Sequence, residues 1–359
     1  MTIFLFFLNY QEEAMLQGSF TALITPFTET NEIDDDGLDQ LVRFQIKNGI
    51  TGILAVGTTG ESPTLVWDEH NRVIEKVAQK TKGKCLCIAG TGSNNTAEAL
   101  SATKHAVHAG VDAVLLVDPY YNGPSSLEIR KEYIEPVASA FPSIDIIPYI
   151  IPGRTGAQLL PEDLAVLSQN CKNVRTVKEA TGDTDNMRRT RKCCGPDFSI
   201  ISGDDGMTFT MMTNPAIQCS GVISVFSNIA PKAVADMVRY LSSGETEPAA
   251  QLNRDLEPLF QLVTVNTIES TPYGDVACRA RNPLAAKTLM SILGMPSGNC
   301  RQPLGKMTRK GIDAVVQAAR TVLSATPEIF QPAAEFFNID IHERLYSDRY
   351  REGLYYTEY

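Results

Sequence analysis

In the run NVRTVKEATGD, residues 173 to 183, a lysine stands near the end of a β-rich stretch, with a Gly- and Asp-containing turn directly behind it. Burial against apolar neighbours takes an ammonium out of water and lowers its pKa toward neutrality. The neutral amine that results can attack a ketone and form a Schiff base. The competing reading of Lys178 is a structural ion pair with adjacent Glu179. Successive strand residues point to opposite faces, so Glu179 is expected to face away from any reaction.

Other reactive residue types sit in short loops. GTTGES, residues 57 to 62, combines closely spaced backbone N–H groups with the hydroxyls of Thr58 and Thr59. That combination suits a small anion such as a carboxylate, although a plain Gly-rich turn has the same composition. DPYYNGP, 118 to 124, carries Tyr120 and Tyr121, whose usual fate is the core. YIIPGRTG, 149 to 156, carries Tyr149 and Arg154. A guanidinium there is either a surface ion-pair partner or a carboxylate fork. SGDDG, 202 to 206, adds two acids. The eight cysteines make no C-x-x-C pair and there are only four histidines, so no metal site is expected.

Such loops act together only if the fold brings them to one place. From Gly18 onward, runs rich in Ile, Val and Leu alternate with amphipathic helical stretches. The strand candidates are FTALIT at 20, TGILAV at 51, CLCIAG at 85, DAVLLV at 112, IDIIPYI at 144, NVRTVK at 173, FSIIS at 198 and GVISV at 221. Their continuous apolar character fits strands buried on both faces. The helices carry their own signals. DDDGLDQLVRFQIKNG opens with acids and closes on Gly49, and SNNTAEALSATKHAVHAG starts with a polar cap and ends at Gly110.

Eight such repeats across 18–243 predict an α/β fold, a (β/α)8 TIM barrel. A doubly wound open sheet is the alternative, but no G-x-G-x-x-G follows the first strand. In a (β/α)8 barrel the loops after the strands share one face, where active sites collect. Beyond 243 the strand pattern stops, and a C-terminal helical appendage is expected over 244–330. Residues 331–359 include a stretch with five tyrosines and dense charge, either a disordered tail or a docking segment.

Composition excludes some partners. A net charge of −10 with no basic stretch argues against nucleic acid. The N-terminal extension, 1–17, holds an apolar burst from Ile3 to Leu8 that is too short to span a bilayer. It also lacks the basic region and cleavage site of a secretory signal. Reduced thiols and a cytoplasmic location are expected.

Taken in order, GTTGES, AGTGSNNTAEA, DPYYNGP, PGRTG, VKEATGD, SGDDG, NPLAAKTLMSILG and CRQPLGKM resemble the dihydrodipicolinate synthase / N-acetylneuraminate lyase family of class I aldolases. The resemblance covers 18–325, and GTTGE followed by PGRTG is more similar to the synthase branch. It implies condensation of pyruvate with L-aspartate 4-semialdehyde on the way to diaminopimelate and lysine, without a metal or organic cofactor. By the same resemblance, Lys178 would form the Schiff base, Tyr149 would shuttle protons, and Thr58 and Tyr121 would complete a hydroxyl relay. Thr59 would hold the pyruvate carboxylate, Gly203 and Ile223 would line its pocket, and Arg154 would pair with the semialdehyde carboxylate.

The resemblance further implies a homo-oligomer, a dimer or tetramer, in which Tyr121 crosses a tight-dimer interface. It also implies an inhibitory L-lysine site at Ser62, Trp67, His70, Asn94, Glu98 and Tyr120. Three departures stand out. Ile150 and Ile151 follow Tyr149 where the family commonly has an amide, Gly123 replaces a basic residue, and the stretch between Leu262 and Ala280 is longer than usual. The alternative within the family is another pyruvate-dependent aldolase or dehydratase, of the 2-keto-3-deoxy-sugar-acid or N-acetylneuraminate type. A catalytically silent barrel that senses a metabolite is the reading outside enzymes, and it would be expected to have lost Lys178 or Tyr149.

Overall fold

The computed structural model describes residues 16–358, so the apolar burst from Ile3 to Leu8 lies outside the described residues. Eight parallel strands close into a barrel in chain order. They are β1 (Gly18–Ala22), β2 (Gly52–Ala55), β3 (Leu86–Gly90), β4 (Ala113–Val117), β5 (Asp145–Ile150), β6 (Thr176–Glu179), β7 (Ser199–Ser202) and β8 (Gly221–Ser224). Closure comes from β8 pairing with β1, with Ile223 opposite Phe20. All eight expected strands are present in the expected order.

Alternation along each strand builds two packing layers. Phe20, Leu54, Ile88, Leu115, Ile147, Ile201 and Ile223 fill the barrel interior. Their neighbours Ile53, Cys87, Val114, Ile146, Val177, Ile200 and Val222 pack outward against the helices. Both faces are therefore dry, which is why the strands read as unbroken apolar runs. The capping signals also act as expected. The Asn95 side chain accepts a hydrogen bond from the Ala97 N–H, and the helix Thr96–Ala109 ends on left-handed Gly110.

The region beyond the barrel differs from the expectation of helices alone. Between the helices Thr246–Phe260 and Leu284–Leu293 stands an antiparallel hairpin, β9 (Thr264–Thr271) and β10 (Gly274–Arg281). Much of it is exposed. Its pattern therefore lacks the apolar run that marks the barrel strands. The last segment docks rather than trailing free. Phe336 and Phe337 pack their rings on Phe44 of the helix Asp35–Lys47, at 5.3 and 5.1 Å between centroids. Ile341 and Leu345 are buried, and Met307 exchanges backbone hydrogen bonds with Leu354 and Tyr356. No helix among the described residues is long and apolar enough to cross a membrane.

Candidate active site

Register places Lys178 inside the barrel. Lys178 on β6 lies opposite Tyr149 on β5 and Ile201 on β7, and all three face the barrel interior. The lysine is only 5% exposed, and its Nζ sits 4.2 Å from the centre of the Tyr149 ring. Burial pushes its pKa down to about 7, while Asp205 opposes the shift and Arg154 adds to it. Glu179 faces the other way, as alternation requires. Its carboxylate accepts from the Thr181 N–H at 2.7 Å and the Asn186 amide at 3.1 Å.

Gly203 makes this placement sterically possible. A Cβ there would stand 3.0 Å from Lys178 Cε and 2.9 Å from Ala180 Cβ. Any larger residue would push the lysine stem aside. Tyr149 is also buried, and its phenol is raised to about 12 by burial, with Arg154 and Thr58 pulling the other way. It therefore keeps its proton throughout the neutral range and can donate as well as accept.

Two cavities meet at Tyr149. One, of about 220 Å³, is lined by Lys178, Tyr149, Thr59, Arg154, Gly203 and Asp204, with Val225, Arg279, Arg281 and Asn282 among its other walls. The second, of about 210 Å³, is lined by Thr58, Tyr149, Arg154, Ser62, Ser93 and Tyr120 among others. Tyr149 and Arg154 line both. Ile223 packs in the layer beneath with Tyr149, while Val225, two residues on, reaches the wall. Tyr121 is not brought to either cavity. Its side chain is 71% exposed, and its backbone N–H is tied to the Asn94 side chain at 2.9 Å.

Arg154 is fixed despite the missing amide after Tyr149. It rides on the short helix Pro152–Thr155, where Thr155 Oγ1 donates to the Ile151 and Ala157 carbonyls. Its own guanidinium donates to the Asn282 carbonyl at 3.1 Å. The residues matched to a lysine site fall around the second cavity. His70 Nε2 lies 3.2 Å from Ser62 Oγ and its ring packs edge-on against Trp67. Burial lowers its pKa to about 4, so the imidazole is neutral at pH 7. The Asn94 carbonyl accepts from the Tyr120 N–H at 2.7 Å, and Glu98 accepts from Ser93 Oγ at 2.5 Å.

Three positioning groups escape sequence reasoning. Asn282 donates its amide to Thr59 Oγ1 at 2.9 Å. Asp205, buried and near enough to Lys178 to favour its charged form, accepts from the Val225 N–H at 2.9 Å, and burial lifts its pKa to about 6. Glu61, at the end of the GTTGE loop, forms a buried ion pair with Lys287 at 2.7 Å. Only the GTTGES, NPLAAK and SGDDG runs signal them, and none of these says what the residues touch.

Known proteins resemble this chain over most of its length. The dihydrodipicolinate synthetase family pattern matches residues 15–322. A 4-hydroxy-tetrahydrodipicolinate synthase of Methanococcus maripaludis is 39% identical over 292 residues, covering 81% of this chain and 93% of the relative. The solved synthase of Methylacidiphilum fumariolicum is 34% identical with a TM-score of 0.79, over 88% of this chain and 99% of that one. A synthase of Cyanidioschyzon merolae, solved with lysine bound, is 32% identical with a TM-score of 0.77, over 86% and 99%. A match that runs from the first barrel strand into the C-terminal helices, at this identity, places the chain in the dihydrodipicolinate synthetase family.

Proposed function

We propose that this chain is a 4-hydroxy-tetrahydrodipicolinate synthase, a lyase that condenses pyruvate with L-aspartate 4-semialdehyde in diaminopimelate and lysine biosynthesis. The observation that carries the reading is the buried Lys178, with its amine held near a pKa of 7 beside a protonated Tyr149. The neutral amine attacks C2 of pyruvate, and the carbinolamine loses water to leave an iminium. Loss of a C3 proton gives the enamine, whose C3 attacks the aldehyde carbon. Tyr149 returns a proton to the resulting alkoxide, and Thr58 beside it passes protons on. The semialdehyde's own amine then attacks the iminium carbon, which closes the ring and frees Lys178.

Thr59, held by Asn282, and the GTTG backbone receive the pyruvate carboxylate, beside the space that Gly203 leaves open and above Ile223. Arg154 receives the carboxylate of the semialdehyde as a guanidinium fork. Tyr121, exposed in the single chain, completes the relay of a neighbouring subunit in a homo-oligomer, a dimer or tetramer. L-Lysine inhibits from the cavity that Ser62 and Tyr120 line, with Trp67, His70, Asn94 and Glu98 around it. Support comes from the lysine-bound relative. The eight free cysteines fit a reducing, cytoplasmic setting.

Borohydride reduction in the presence of pyruvate, followed by peptide mapping, tests the mechanism. A single reduced adduct on Lys178 is expected, and coupled turnover of the semialdehyde must accompany it. An adduct elsewhere, or cleavage of 2-keto-3-deoxy sugar acids in place of semialdehyde turnover, overturns the assignment.

A further inference from the structure

The β9–β10 hairpin lies in the stretch that is longer than expected, and it brings charge to the Lys178 chamber. Residues two apart on a strand share a face, so Arg279 and Arg281 project from the same side of β10. Both line the chamber, together with Lys178 and Arg154. Arg281 donates Nη1 to the Gly153 carbonyl at 3.0 Å, one residue before Arg154. Arg154 in turn donates Nη1 to the Asn282 carbonyl at 3.1 Å, one residue after Arg281. This reciprocal pair laces the base of the hairpin to the Arg154 turn.

Each guanidinium has five N–H donors, so these backbone bonds leave most of both forks available. Arg279 lines the chamber and is an exposed residue. The charge around the chamber is lopsided. Three guanidiniums face one carboxylate, Asp204, in a chain whose net charge is −10. Arg281 adds to the electrostatic cost of keeping Arg154 charged, and a cationic lining draws anionic substrates in.

We propose that Arg279 and Arg281 form a specificity-determining anion site, contributed by the hairpin, that extends Arg154 outward and selects acceptor aldehydes carrying a carboxylate. It rests on the reading that the aldehyde meets the enamine above Lys178. Pyruvate, held deeper by the Thr59 wall, does not depend on it. The pair therefore separates recognition of the second substrate from recognition of the first.

The test uses the full chain with Arg279→Gln, Arg281→Gln, the double variant and Arg281→Lys. Each KM is measured separately, and kcat/KM is followed against ionic strength. Loss of charge-assisted contacts in the double variant is expected to raise the KM for L-aspartate 4-semialdehyde about tenfold or more. The KM for pyruvate and the yield of borohydride-trapped Lys178 stay within about twofold of wild type, because only the acceptor's binding is lost. The salt dependence of kcat/KM for the semialdehyde flattens, and Arg281→Lys recovers part of the loss.

Arg279→Gln alone, at an exposed residue, raises the semialdehyde KM without shifting Tm, which guards against a folding artefact of Arg281→Gln. An unchanged semialdehyde KM overturns the proposal, and so does a parallel rise in both KM values. If wild type turns over the semialdehyde while the variants match it, this proposal alone fails. If wild type traps pyruvate but does not turn over the semialdehyde, the functional reading fails with it.

Discussion

Lys178 is a reactive group because it is a badly solvated one. An unfolded chain holds the lysine proton to about 10.5, whereas the folded site releases it near 7. Between these values the unfolded state binds more protons, so stability rises with pH from about 7 toward 10.5. Below 7 the folded protein bears the full cost of charging the buried amine. Lys178→Met should therefore abolish the pyruvate adduct and stabilise the fold by about 3–5 kcal/mol at neutral pH or below. The gain should shrink as the pH climbs toward the ordinary lysine value, as urea denaturation across pH would show. Equal stability of the two proteins in mild acid would contradict the burial argument. The lysine and its turn are legible in the sequence because strand alternation singles out a charge on an apolar face. Asn282 is not legible, since its amide reaches Thr59 from 223 residues away.

The GTTGE loop is held from outside the barrel. Glu61 adopts a left-handed backbone conformation, φ 59°, which a non-glycine residue occupies only under constraint. Its carboxylate pairs with Lys287 and accepts from the Arg301 N–H at 2.8 Å. Lys287 in turn donates to the Thr25 and Asn299 carbonyls and lies over the Phe27 ring. Lys287→Met leaves a buried carboxylate without its ammonium, and its expected cost is about 3–5 kcal/mol. A urea midpoint close to wild type would refute that role. Because the loop carries Thr58 and Thr59, the KM for pyruvate should also rise. The barrel strands and their capped helices can be read from pattern, since each strand is dry on both faces. The hairpin cannot, because an exposed ribbon presents few buried apolar positions to recognise.

The barrel as a unit gathers loops from residues 57 to 206 at one mouth, and the C-terminal region braces it from the side. The last segment lines neither site cavity, yet Phe44, Phe336 and Phe337 cover one another through it. Deleting 331–359 removes Phe336 and Phe337 and uncovers Phe44, and burial of such a side chain is worth roughly 1.5–3 kcal/mol. The truncated chain should lose several degrees of Tm by calorimetry while still forming the Lys178 adduct at low temperature. Loss of the adduct from a folded truncation would give the segment a role that its position does not suggest. Docking and disorder are equally open there on sequence alone, because tyrosines among charges suit either a packed ribbon or a solvated one.

The hairpin departs from the fold and returns to it at nearly the same point. The Asn282 N–H donates to the Val263 carbonyl at 2.8 Å, and Thr264 pairs with Arg281 directly above. Everything between those residues can lengthen, shorten or change composition without moving a barrel strand, while Asn282 stays on Thr59. The element is in effect a cassette plugged into a socket. If Arg279 and Arg281 read the acceptor as proposed, descent within such a lineage exchanges second-substrate preference by swapping one ribbon, without touching the strand that carries Lys178.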